Sequence, residues 1–188
     1  MKFYKYIQVL SLDVVTGACI SALYLAKVME VVVPSITMVE LGIAVWLIYT
    51  ADHLWDAKKN DKPTTFRHQF HQTYATVLIV LWVLIALIGI ILLFYISHEV
   101  IILGAVTLAT VIIYFVSLYW LKDKQIIHKE VSIATVYSIG ILVPSLATNT
   151  IIDMSSLIIL FSICFLMALA NVLIFSIYEM QTDKNDGH

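Results

Sequence analysis

The chain has 188 residues, 61% hydrophobic and only 13% charged, with a formal net charge of -2. A soluble domain carries about 45–50% apolar and about 25% charged residues. The excess excludes a water-soluble globule, a disordered chain and a basic nucleic-acid binder, so no nucleic-acid partner is expected. The two cysteines, Cys19 and Cys164, lie inside apolar runs, where a thiol serves as a small hydrophobe rather than as half of a disulfide or a metal pair.

A membrane helix needs about 20 mostly apolar residues. Six stretches qualify, at roughly 5–26, 33–54, 72–96, 99–121, 129–149 and 154–179. They predict one all-α domain over 1–188, a polytopic membrane helical bundle of six transmembrane helices. Val, Ile and Leu are mixed without strict alternation, which argues against a transmembrane barrel. The first stretch carries Asp13 at its centre and no small-x-small cleavage pattern, so it reads as a span and not as a signal peptide. Asp13 then needs a partner or water inside the membrane, either lining a cavity or bonding to a neighbouring helix. Pro34 opens the second stretch, where its missing N–H costs little. Glu40, near the same end, reads as a structural hydrogen-bonding group. Pro144 falls inside the fifth stretch and should kink or end it.

The cations give the orientation. Lys2 and Lys5, then Lys58, Lys59, Lys62 and Arg67, then Lys122, Lys124 and Lys129, and finally Lys184 all fall on one side, leaving Lys27 on the other. The positive-inside rule places both termini and the 57–71 and 122–129 loops in the cytoplasm. The expected location is a multi-pass integral protein of a bacterial inner membrane, with membrane lipid as a partner and no reading of its oligomeric state.

Most of the acids fall on that same side. Asp52 and Asp56 stand four apart at the end of the second helix, so both carboxylates project from one face, one turn apart. Two such carboxylates repel unless a cation lies between them. Mg²⁺ suits the place, because it takes a few carboxylate oxygens and fills its other positions with water and phosphate oxygens. The alternative is a solvated helix end. At the end of the sixth helix, Ser176, Glu179, Asp183 and Asp186 follow the spacing of a single helix face. Asn171 flanks that face, deeper in the membrane. Two acidic segments leaving on one side form a Mg²⁺–diphosphate site if they converge, and ordinary interfacial charge if they do not. Arg67 can grip a phosphate oxygen or anchor the chain at the interface. His68 and His71 lack further ligands at zinc spacing. Tyr49, Trp55, Tyr119, Trp120 and Tyr178 suit an aromatic belt at the membrane boundary.

These segments resemble the UbiA-type intramembrane prenyltransferases. That family has nine helices, with an acidic motif N-x-x-x-D-x-x-x-D after helix 2 and a second, D-x-x-x-D, after helix 6. Asp52 and Asp56 match the last two acids of the first motif, while Ile48 stands where its Asn would be. Tyr178-Glu179-Met180-Gln181-Thr182-Asp183 resembles the second, with Glu179 in place of Asp. The resemblance implies Mg²⁺ held by Asp52, Asp56, Glu179 and Asp183, the expected catalytic and metal set. It implies a prenyl diphosphate steadied by Arg67, Lys124 and Lys129, with Asn171 and Tyr178 beside the substrate. Tyr178 would offer a π face to an allylic cation. The implied activity is transfer of the isoprenyl group to a lipophilic, aromatic or other, acceptor. The chain carries counterparts of the family's first six helices, so a C-terminally truncated form with weak or no activity is the expectation. The CDP-alcohol phosphotransferases also end a motif in D-x-x-x-D, but their opening D-x-x-D-G-x-x-A-R does not precede Asp52. The remaining alternative is a small non-catalytic membrane protein or a transporter, with Asp13, Glu40 and Asn171 lining a path.

Overall fold

The computed structural model describes residues 2–59, 66–120, 126–148 and 153–185. These form eight α-helices: α1 (Lys2–Val9), α2 (Leu12–Val28), α3 (Ser35–Lys59), α4 (Phe66–Thr73), α5 (Ala75–Leu92), α6 (His98–Trp120), α7 (Ile126–Thr148) and α8 (Met154–Asn185). A 3₁₀ turn, Leu93–Tyr95, follows α5. There is no strand among the described residues. Among the described residues four segments are long and apolar enough to cross a membrane: Ser35–Lys58, Ala75–Tyr95, Glu130–Thr148 and Met154–Ile174. Their length and composition mark a multi-pass membrane protein. The stretch expected at 99–121 is helix α6, which runs from His98 to Trp120.

The stretch expected at 5–26 is not one helix. Ser11 adopts a left-handed φ of 55° and is buried, with 2% exposure, and it separates α1 from α2. Asp13 therefore sits in the first turn of α2 rather than deep within a helix, and its Oδ1 accepts the Val14 N–H at 3.0 Å. A carboxylate is favoured at that positive helix end. At the other end of α2, the Glu30 N–H reaches the Lys27 carbonyl and the Val31 N–H reaches the Ala26 carbonyl, around a left-handed Glu30 with φ 54°. This is a Schellman cap. The region expected as the 57–71 loop is also partly helical: α3 runs to Lys59 and α4 begins at Phe66.

The chain divides into two compact units, 1–23 with 34–96 and 24–33 with 97–188. In the first, α3 is the central element. Gly42 of α3 lets α2 come close: a Cβ built there would meet Cys19 Sγ and Val15 Cγ1, each at 3.5 Å. The Cys19 thiol donates to the Met38 carbonyl at 3.7 Å. On another side, α5 approaches through Gly89, beside Ile43 and the Glu40 carboxylate, and Trp82 Nε1 donates to the Leu47 carbonyl at 2.8 Å. The remaining large side chains of α5, from Val77 to Ile91, are mostly about half exposed, as expected of a surface solvated by lipid.

In the second unit α7 packs against both α6 and α8. Ala134, Ser138 and Ser145 of α7 have no exposure. Small residues at such contacts let helix backbones approach closely in a membrane. Pro144 stays inside α7, which neither ends nor begins there. The residue four before it is Gly140, around which a Cβ would meet nothing within 4 Å, so the turn facing the proline ring is roomy. An apolar cavity of about 270 Å³ lies between α7 and α8, lined by Ile139, Leu142, Leu146, Leu157, Ile158 and Phe161. Asp153 starts α8, accepting hydrogen bonds from the Ser155 and Ser156 hydroxyls and backbone N–H groups. The Ser155 and Ser156 hydroxyls, with the two N–H groups, hold its carboxyl well below the usual carboxylate range.

Candidate functional site: a polar face at the end of α3

Tyr49, Asp52, His53 and Asp56 fall at i, i+3, i+4 and i+7 of α3, which puts them on one helix face. All but Tyr49 belong to the last two turns, and Asp52, His53 and Asp56 are each half-buried. The face is organised by rings: Tyr49 and His53 meet edge-on at 6.3 Å, and His53 meets His71 of α4 at 5.2 Å. Each of Tyr49, Asp52, His53 and Asp56 has an interaction partner.

The short helix α4 closes over this end of α3. Its amide Gln72 Nε2 donates to the Ala57 carbonyl at 2.8 Å, and His71 is buried, with 2% exposure. His71 Nδ1 lies 2.9 Å from the Arg67 carbonyl. A carbonyl only accepts, so Nδ1 carries the proton and Nε2 is left as the basic nitrogen of a neutral ring. Burial favours that neutral form and pushes the His71 pKa below its ordinary value, outweighing the hydrogen bond to the Arg67 carbonyl. Arg67 is half-buried and stands one turn before His71, on the side of α4 that faces α3. Thus the first acidic pair and Arg67 belong to two packed helices of one unit.

The second acidic pair is described only in its backbone. Helix α8 runs through Tyr178, Glu179 and Asp183 to Asn185, so the expected helical register of Ser176, Glu179 and Asp183 is present. The side chains of Tyr178, Glu179 and Asp183, and that of Lys129 on α7, lie outside the described ones, as do Lys124 and Asp186 altogether. Asn171 is exposed on α8 and Ser176 is half-buried. Among the described residues no three His, Cys, Asp or Glu side chains are grouped to hold a metal ion. Asp52 and Asp56 therefore stand as a pair of carboxylates. That suffices for one side of a hydrated Mg²⁺, which is commonly held by one or two carboxylates together with substrate phosphates.

Two polar groups went unread in the sequence. His53 and His71 are eighteen positions apart, and their contact depends on how α4 docks. The i, i+3, i+4, i+7 run from Tyr49 to Asp56 was the available signal, since it marks a polar face wider than the two acids. Glu130, at the start of the third candidate span, is buried at 5% exposure with its Oε2 unpaired. No protein-family model matches the chain, and neither a curated protein nor a solved structure does.

Proposed function

We propose that the chain is a Mg²⁺-dependent, prenyltransferase-like membrane protein of the UbiA type. It would have six spans, both termini cytoplasmic, and sit in a bacterial inner membrane. Its substrates would be a prenyl diphosphate and a lipophilic acceptor. The observation that supports the reading is the half-buried Asp52/Asp56 face at the end of α3, against which the helix carrying Arg67, α4, packs. Asp52 and Asp56 would hold Mg²⁺ at the membrane boundary. When bound, the ion neutralises charge building on the departing diphosphate. Arg67 offers a planar, permanently charged donor set matched to phosphate oxygens. In the same reading the resemblance would give Glu179 and Asp183 the role of a second acidic pair, Lys124 and Lys129 that of further cations, and Asn171 and Tyr178 that of substrate contacts. The apolar bodies of α3 and α5 keep water from the isoprenyl tail and from the carbocation that forms when the allylic C–O bond breaks.

The direct test is binding of farnesyl or geranylgeranyl diphosphate to the purified chain, with and without Mg²⁺, followed by an assay of diphosphate release. Binding should require Mg²⁺. Asp52→Asn or Asp56→Asn should weaken it by roughly two orders of magnitude, since each removes charge from the metal and from the diphosphate it bridges. Asp61→Asn should leave it within about twofold, because its five-residue step from Asp56 does not continue the four-residue spacing of the pair. Equal binding with and without Mg²⁺, in the wild type and in Asp52→Asn, would sink the reading.

A further inference from the structure

Helices α1 and α4 are eight residues each, far short of a span, and neither contains an acid. Their sequences, KFYKYIQV and FRHQFHQT, carry Lys2, Lys5 and Arg67 beside several aromatic rings. The two helices are joined through those rings. Tyr6 meets Phe66 edge-on at 6.3 Å and Phe70 at 6.1 Å, while Lys5 Nζ stands 5.9 Å from the Phe66 ring centroid. The left-handed turn at Ser11 redirects the chain between α1 and the apolar α2. Around this pair Tyr6, Phe66, Tyr74 and Trp55 are exposed, together with Lys5 and Lys58. The Gln72 bond to Ala57 sets Lys58 next to α4.

Rings with an apolar body and a polar edge gather where hydrocarbon meets water, and short basic amphipathic helices lie in that plane. A zwitterionic headgroup offers lysine a phosphate already paired with its own ammonium, an anionic one leaves net negative charge to meet it, and α1 and α4 hold no acid of their own. We propose that α1 and α4 form an interfacial platform that binds the headgroups of anionic phospholipids through Lys5 and Lys58. Tyr6 and Phe66 set its depth at the boundary. The proposal does not depend on any catalytic role for the Asp52/Asp56 face.

The test places the full chain in nanodiscs made from an equimolar mixture of phosphatidylglycerol and phosphatidylcholine, re-extracts it in mild detergent, and weighs the retained lipids by mass spectrometry. Phosphatidylglycerol should be enriched over the bulk mixture. Each basic residue near an anionic surface is worth about fivefold, so Lys5→Gln/Lys58→Gln should cut the enrichment at least about fivefold with helix content unchanged by circular dichroism. Lys27→Gln, at the far end of α2, should leave it as it was. Should the double variant fail to fold, the wild type in about 1 M NaCl gives the same reading, because screening there falls to about 3 Å. Retained lipid at the bulk ratio overturns the proposal, as does enrichment indifferent to both the lysine changes and salt. Displacement of the lipid by millimolar inorganic diphosphate also overturns it, by showing a free-phosphate site. Loss of enrichment on dimerisation overturns it too, by making the platform a contact between copies.

Discussion

In the first unit, side chains of one helix reach the backbone of another: Cys19 to Met38, Gln72 to Ala57 and Trp82 to Leu47. In the second, the hydroxyls of Thr107, Thr110, Thr135, Ser138, Thr148 and Ser162 each turn back to the carbonyl four residues earlier in their own helix. There, α7 meets its neighbours through Ala134, Ser138 and Ser145, which have no exposure. The contrast has a physical basis. Lipid gives apolar helices no hydrophobic reason to associate, so they join either by hydrogen bonds between helices or by close approach of small residues. The first unit uses both, through its bonds and through Gly42 and Gly89, whereas the described contacts of the second lean on close approach.

The largest effect should come from blocking close approach. Ala134→Leu adds a branched side chain where no space is exposed and should cost about 3 kcal/mol, the upper range for overpacking. SDS titration of the reconstituted chain, followed by circular dichroism, measures it. Trp82→Phe removes one interhelical bond while keeping most of the ring and should cost about 1 kcal/mol in the same titration. If Trp82→Phe proved costlier than Ala134→Leu, the two units would not differ in the way described. The smallest effect concerns how α4 is held. His71 is neutral in the fold and its pKa lies below the ordinary value. As pH falls through about 6.5, the unfolded chain takes up a proton that the folded chain resists. Stability contributed at His71 is therefore fully present above about pH 6.5 and declines below it, until the folded ring also protonates. His71→Gln should flatten that slope. An unchanged slope would assign it to another group.

The hydropathy of the sequence was enough to find α3, α5, α6, α7 and α8, with α6 placed to within one residue at each end, because a lipid-facing helix must be apolar over most of its length. The break at Ser11 was not legible. One residue with a left-handed φ leaves a window average untouched, and serine is no strong turn signal. Helix α4 was hidden for a different reason. An eight-residue segment rich in polar residues has little helix tendency alone, and its form depends on burying His71 and on the Gln72 bond to α3. The Asp52/Asp56 spacing was readable because both acids lie on one helix. The His53–His71 contact was not, because it joins two helices across a segment whose path no local pattern specifies.

The turn at Ser11 also limits how much of the membrane α2 can cross. Helix α2 has 17 residues, about 25 Å at 1.5 Å per residue, whereas a hydrocarbon layer is about 30 Å thick. Helix α3, with 25 residues, reaches about 37 Å. In the proposed six-span topology a bilayer matched to α3 is too thick for α2, and the mismatch must be taken up by local thinning or by Lys27 stretching its ammonium to the headgroups. The protein would thus sit with least strain in a thin membrane, and thickening the host bilayer with longer acyl chains would load the shortest helix first.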